Sequence, residues 1–208
     1  MSEQKKPGLV RFITIGAAAL AIVAGIYWLQ SGERKAAAPA PAVSGGLVTR
    51  ELAKGALAAF LVKPERAAVP DLAFQDGTGK ALRLSDWRGR VVLINLWATW
   101  CAPCRKEMPA LAALQAKLGS KDFEVVAISV DRKGVAAASA FLKETGAAGL
   151  KLYVEPSAKI LDDLQALGLP ATVLVDREGR EIGRLLGPAE WDSPEALTLI
   201  GAALAEGP

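Results

Sequence analysis

The segment Val91-Val92-Leu93-Ile94-Asn95-Leu96-Trp97 constrains the fold more than any other. It is an apolar run of strand length with no alternation, the pattern of a strand covered on both faces. A helical stretch follows at once, from about Ala102 to Leu118, with Met108, Leu111, Leu114, Gln115 and Leu118 recurring at three and four. Phe123–Val130 repeats the buried-strand pattern. Ala136–Glu144 reads as a helix, Leu150–Val154 as a short strand and Ser157–Leu167 as another helix. Two hairpins frame this middle: Leu72–Leu84 around Asp76-Gly77-Thr78-Gly79, and Ala171–Leu186 around Asp176-Arg177-Glu178-Gly179. Ser193-Pro194-Glu195 opens a last helix, with serine as cap and proline in the first turn. The order predicts an α/β fold, a central mixed sheet with helices on both faces. In such sheets reactive groups collect at the carboxyl ends of parallel strands.

Ahead of this pattern the chain changes character. Phe12–Leu29 is 18 residues without a charge, long enough to cross a bilayer as a helix. Tyr27 and Trp28 close it, and Lys5, Lys6 and Arg11 precede it, which orients the N-terminus to the cytoplasm. A cleaved signal peptide fits less well. Its apolar region is shorter, and both small-residue cleavage patterns here would leave Pro39 or Pro41 just past the cut. Residues 31–46, rich in Ala, Pro and Gly, form a linker with nothing to bury. The expected organisation is therefore 1–30 cytoplasmic start and single-pass anchor, 31–46 linker, and 47–208 a domain whose core starts near residue 70. Within that domain, apolar positions at helical spacing predict a packed helix over 47–62.

The two parts divide the charge unevenly. Residues 1–46 hold five basic and two acidic side chains, the whole of the net +3, and the remaining 20 basic and 20 acidic residues balance. A neutral domain has no field to draw nucleic-acid phosphates, and that class of partner is excluded. With no histidine there is no Ser-His or Cys-His catalysis and no His-ligated metal. Two cysteines cannot build a four-thiolate zinc or iron–sulfur site.

Both cysteines lie in Trp100-Cys101-Ala102-Pro103-Cys104, after a strand and at the opening of a helix. A helix N-terminus stabilises a thiolate and so lowers the pKa expected of Cys101. Spacing of three around the first turn brings the sulfurs within disulfide reach. Cys101, at the exposed end, is placed to attack a partner's disulfide, and Cys104 to resolve the mixed disulfide. A two-thiolate Cu(I) site for copper delivery is the alternative, although extra His or Met ligands would be expected of it and the chain has only Met1 and Met108.

The segment from Val91 through Trp100-Cys101-Ala102-Pro103-Cys104-Arg105-Lys106-Glu107-Met108-Pro109 resembles the active-site segment of thioredoxin-like proteins. More narrowly, it resembles membrane-anchored thiol–disulfide interchange proteins of the TlpA type. The likeness extends over Pro70–Pro208 and includes Gly168-Leu169-Pro170-Ala171-Thr172 and Gly187-Pro188-Ala189-Glu190-Trp191. It implies a cis bond before Pro170, a peptide-binding backbone at Leu169, and a substrate-facing set of Trp100, Pro103, Leu169 and Pro170. It also implies Cys101–Cys104 as the redox disulfide, no cofactor, and a domain on the periplasmic side of a bacterial inner membrane. The implied reductant is a membrane thiol-electron transporter. The implied substrates are cysteine pairs of cytochrome-biogenesis or copper-site assembly proteins. In one respect the chain departs from thioredoxins proper: Asn95 stands where they carry a buried aspartate. Proton transfer or thiol tuning then falls to Glu107, Asp131 or Glu155, each of which has an equally ordinary structural reading. Glu107 would cover the active-site helix, Asp131 cap the helix after it, and Glu155 belong to a turn.

Overall fold

Val91–Trp97 forms the central strand of the computed structural model, which describes residues 47–207. All seven of its residues are buried, as are all seven of Phe123–Ser129, so both faces of the sheet's centre are covered. In chain order the strands are β1 (Leu61–Val62), β2 (Ala73–Asp76), β3 (Ala81–Arg83), β4 (Val91–Trp97), β5 (Phe123–Ser129), β6 (Tyr153–Val154), β7 (Ala171–Val175) and β8 (Glu181–Leu186). They make one mixed sheet in the order β1-β8-β7-β4-β5-β6-β2-β3, with β4, β5 and β6 parallel. The helices are α1 (Ala102–Leu118), α2 (Gly134–Glu144), α3 (Lys159–Asp163) and α4 (Pro194–Ala205). The thioredoxin-like α/β expectation holds, and both hairpins form where turn residues stand. In the first, Asp76 Oδ1 accepts from the Thr78 and Lys80 N–H groups, and Gly79 supplies a φ of 87°. Ser193 caps α4 by accepting from the Ala196 N–H.

The segment 47–62 is not a helix. It makes two 3-10 turns, Arg50–Leu52 and Gly55–Leu57, and then the strand β1. Gly55 at φ +54° ends any right-handed continuation. Beyond it, Leu61 and Val62 extend to pair antiparallel with Arg184 and Gly183. That approach needs a bare backbone, because a Cβ on Gly183 would lie 2.5 Å from Phe60 and 2.6 Å from the Leu61 carbonyl. The apolar spacing therefore serves Leu57 and Phe60, which are buried under a strand's approach.

The expected helix over 157–167 shrinks to Lys159–Asp163. Ala158 at φ 59° and Gln165 at φ 52° both leave the right-handed region and bound it. The strand expected over 150–154 keeps only Tyr153 and Val154, which pair with Ile128 and Ser129 at the end of β5. The anchor and linker expected over 1–46 lie outside the described residues. Among those described, no helix is long and apolar enough to cross a membrane.

Candidate active site

Cys101 is the N-cap of α1, and its Sγ accepts the Cys104 N–H at 3.2 Å. The helix therefore turns one of its unpaired amides onto sulfur. Cys101 and Cys104 are joined as a disulfide with their Cα atoms 5.3 Å apart, and Pro103 sits in the first turn. Both cysteines are buried, Cys101 with 4% of its surface left and Cys104 with none, so Cys101 is the nearer of the two to solvent. Trp100 projects outward at 71% exposure. Trp97 is fully buried and stacks on Phe141 at 4.9 Å, and the Arg105 guanidinium lies over the Phe141 ring at 4.6 Å from its centroid. The Leu169–Pro170 bond is cis. Ala171, the next residue, pairs with Leu96, so the sheet sets Pro170 at the end of β4 from which the chain runs to Cys101. Leu167 in the same loop is 92% exposed.

The three carboxylates occupy different environments. Glu107 lies one turn past Cys104 on α1 and is buried. Its Oε1 accepts from Asn95 Nδ2 at 2.8 Å; its Oε2 accepts from the Ala189 N–H and from Trp191 Nε1, both at 3.2 Å. Burial pushes its pKa up to about 7, and these three donors hold it from rising further. Glu107 therefore does more than cover the helix. Asp131, also buried, accepts from the Thr99 hydroxyl, from the Thr99 N–H at 3.2 Å and from the Lys133 N–H at 2.9 Å. Burial raises its pKa, but the donors outweigh burial and leave it below the ordinary carboxylate range. It fastens the loop before Cys101 to the end of β5 and makes no cap on α2, whose N-cap is Lys133. Glu155 accepts from Ser157 and from the Ile160 N–H at 3.2 Å, which makes it part of the turn entering α3.

Sequence reasoning did not assemble the partners of Glu107. Asn95 also donates to Thr172 Oγ1 at 2.9 Å, and it is fully buried. The available signal was a lone amide inside an otherwise apolar buried strand, since a buried polar group must find a partner. Trp191, which in the sequence stands only as the end of Gly187-Pro188-Ala189-Glu190-Trp191, is the indole donor. Among the described residues no group of three or more Cys, Asp or Glu is placed to hold a metal.

The sequence profile of the Redoxin family matches residues 64–200. The chain belongs to the Redoxin family. A curated relative, thiol-disulfide oxidoreductase ResA of Bacillus subtilis, is 32% identical over 123 residues, 59% of this chain and 68% of its own. ResA of Bacillus cereus is 30% identical, over 57% of this chain and 67% of its own. A crystal structure from Chlorobium tepidum, provisionally named thiol:disulfide interchange protein DsbE, superposes with a TM-score of 0.60 and 32% identity. It spans 68% of this chain and 99% of that one. A DsbF homologue from Corynebacterium diphtheriae gives 0.55 at 28% identity, over 69% of this chain and 88% of that one. This Redoxin-family chain is a thiol–disulfide oxidoreductase of thioredoxin-like fold, and its Cys pair stands where that chemistry needs it.

Proposed function

We propose that this protein is a membrane-anchored periplasmic reductase of protein disulfides, with Cys101 as the nucleophile, Cys104 as the resolving thiol and Glu107 as the proton acceptor for Cys104. The observation that carries the reading is the pairing of a helix-capping disulfide with a buried carboxylate one turn below it. In the reduced enzyme the Cys101 thiolate attacks a partner's disulfide. A mixed disulfide forms and one partner sulfur leaves as thiolate, to be protonated by water. Cys104 then passes its proton to the Glu107 carboxylate, and its thiolate attacks Cys101 Sγ. The second partner sulfur leaves, the partner is reduced by two electrons, and Cys101–Cys104 is oxidised to the disulfide. A carboxyl with a pKa of about 7 is matched to giving and taking a proton near neutrality.

Trp100, Pro103, Leu169 and Pro170 form the substrate-facing set, and an extended partner segment lies along Leu169 as a short added strand. The uncharged stretch Phe12–Leu29, preceded by Lys5, Lys6 and Arg11, supports anchoring with the domain outside. In an oxidising compartment such a reductase needs its own electrons, and a membrane thiol-electron transporter is the supply that fits. Cysteine pairs in cytochrome-biogenesis or copper-site assembly proteins are the substrates suggested by the resemblance. A redox titration in thiol buffers, followed by Trp fluorescence, tests the direction. A reductase equilibrates near the thioredoxin end of the scale, about −270 mV; a value near about −120 mV would make it an oxidant and overturn the reading.

A further inference from the structure

The hydrogen bonds around Glu107 leave one buried acceptor without a partner: Asn95 Oδ1. The two carboxyl oxygens of Glu107 are not equivalent. Oε2 is held by a backbone N–H and an indole N–H, which donate and cannot reverse. Oε1 is held only by Asn95 Nδ2. A proton arriving on Glu107 therefore takes the second lone pair of Oε1, and the new O–H needs an acceptor. The carboxamide supplies one by turning over about χ2, a broad and soft torsion, because its own Oδ1 is the buried acceptor left without a partner. Oδ1 then accepts from the protonated Oε1. The same turn carries Oδ1 to Thr172, whose hydroxyl now accepts from Nδ2 at 2.9 Å and is equally able to donate.

We propose that the Asn95 carboxamide is a two-position switch that takes its orientation from the protonation of Glu107 and passes it to the hydroxyl of Thr172, two residues past Pro170. Asn95 and Thr172 are register partners across β4 and β7, which fixes the distance the switch must span. The groups facing Glu107 are Asn95 from β4 and Ala189 and Trp191 from the segment after β8. Lys106 and Glu190 are the charged residues lining the groove beside it. Cys104 lies three residues before it on α1. Asn95 is thus a positioning residue: it acts through Glu107 on one side and the root of the Pro170 loop on the other. The inference rests on Glu107 exchanging a proton during the reaction. Failure of that premise shows separately, as unchanged exchange kinetics in Glu107→Gln.

Asn95 is the only asparagine in the chain, so 15N-asparagine labelling of the full-length oxidised protein in detergent micelles reports one side-chain amide. Its two N–H resonances are expected to move between two limiting positions with a midpoint near pH 7. In Glu107→Gln the new Nε2 donates where the protonated Oε1 would, so the resonances should stay at the acid-limit position at every pH. The Thr172 methyl resonance, assigned by its loss in Thr172→Ser, should follow the same midpoint in the wild type. Amide resonances that do not move with pH in the wild type, a measurement needing no variant, overturn the switch. So does movement that persists in Glu107→Gln, or a Thr172 methyl that stays still while the amide moves.

Discussion

Glu107 holds a buried acid whose ordinary place is in water, and the sign of its effect on stability follows. Its folded pKa of about 7 lies above the ordinary 4.5, so the folded state binds the extra proton between those values. The contribution to stability is fully present below about pH 4.5 and is lost as pH rises through about 7, a fall of about 3 kcal/mol. Urea unfolding of the oxidised protein between pH 5 and pH 9 should show that decline, and Glu107→Gln should flatten it. A wild-type curve level across the window would mean that Glu107 is ionised throughout. In the reduced enzyme, Glu107→Gln should slow the Cys104 resolving step by roughly 10²-fold, the lower end of what a positioned base supplies. Asp131 behaves oppositely: its pKa is lowered, so its share of stability is lost only in acid, below the window that Glu107 governs.

At the scale of elements, legibility tracked locality. β4, β5, α1 and the two hairpins were readable because each carries its burial pattern and its turn or capping residues within its own sequence. The Cys pair was readable for the same reason: strand, cap and proline are contiguous. Glu107 was only one of three equal carboxylates, because its partners come from β4 and from the segment after β8. The segment 47–62 misled because its structure is decided by Gly183, on a distant strand. Ala158 and Gln165 give no sequence sign of a left-handed backbone, so the shortening of α3 was invisible. β1 supplies a test. Gly183→Ala would drive a Cβ into Phe60 and the Leu61 carbonyl. It should destabilise the protein by about 1–3 kcal/mol. Limited proteolysis should then cut between residues 47 and 66 while the rest of the sheet resists. Protection equal to the wild type would show that β1 accommodates a side chain there.

Across the whole molecule, the described chain begins tied to its own C-terminal end. Glu206 accepts the Val48 N–H at 3.0 Å and a two-pronged pair from Arg66 at 2.5 and 2.8 Å. Arg177 donates to the Leu204 carbonyl at the end of α4. These contacts tie the chain on either side of β1 and the β7–β8 turn to the end of α4, and the Cys pair stands at the carboxyl end of β4 with only Cys101 retaining surface. That asymmetry between the two sulfurs is the core of the account, and one measurement tests it most directly. Full-length Cys104→Ser, expressed in bacterial cells, should accumulate mixed disulfides through Cys101 with cysteine-bearing partner proteins. Reductant should release them, and the double variant Cys101→Ser/Cys104→Ser should abolish them. Absence of adducts in Cys104→Ser, or equal adducts through Cys104 in Cys101→Ser, would contradict the assignment of Cys101 as the attacking thiol.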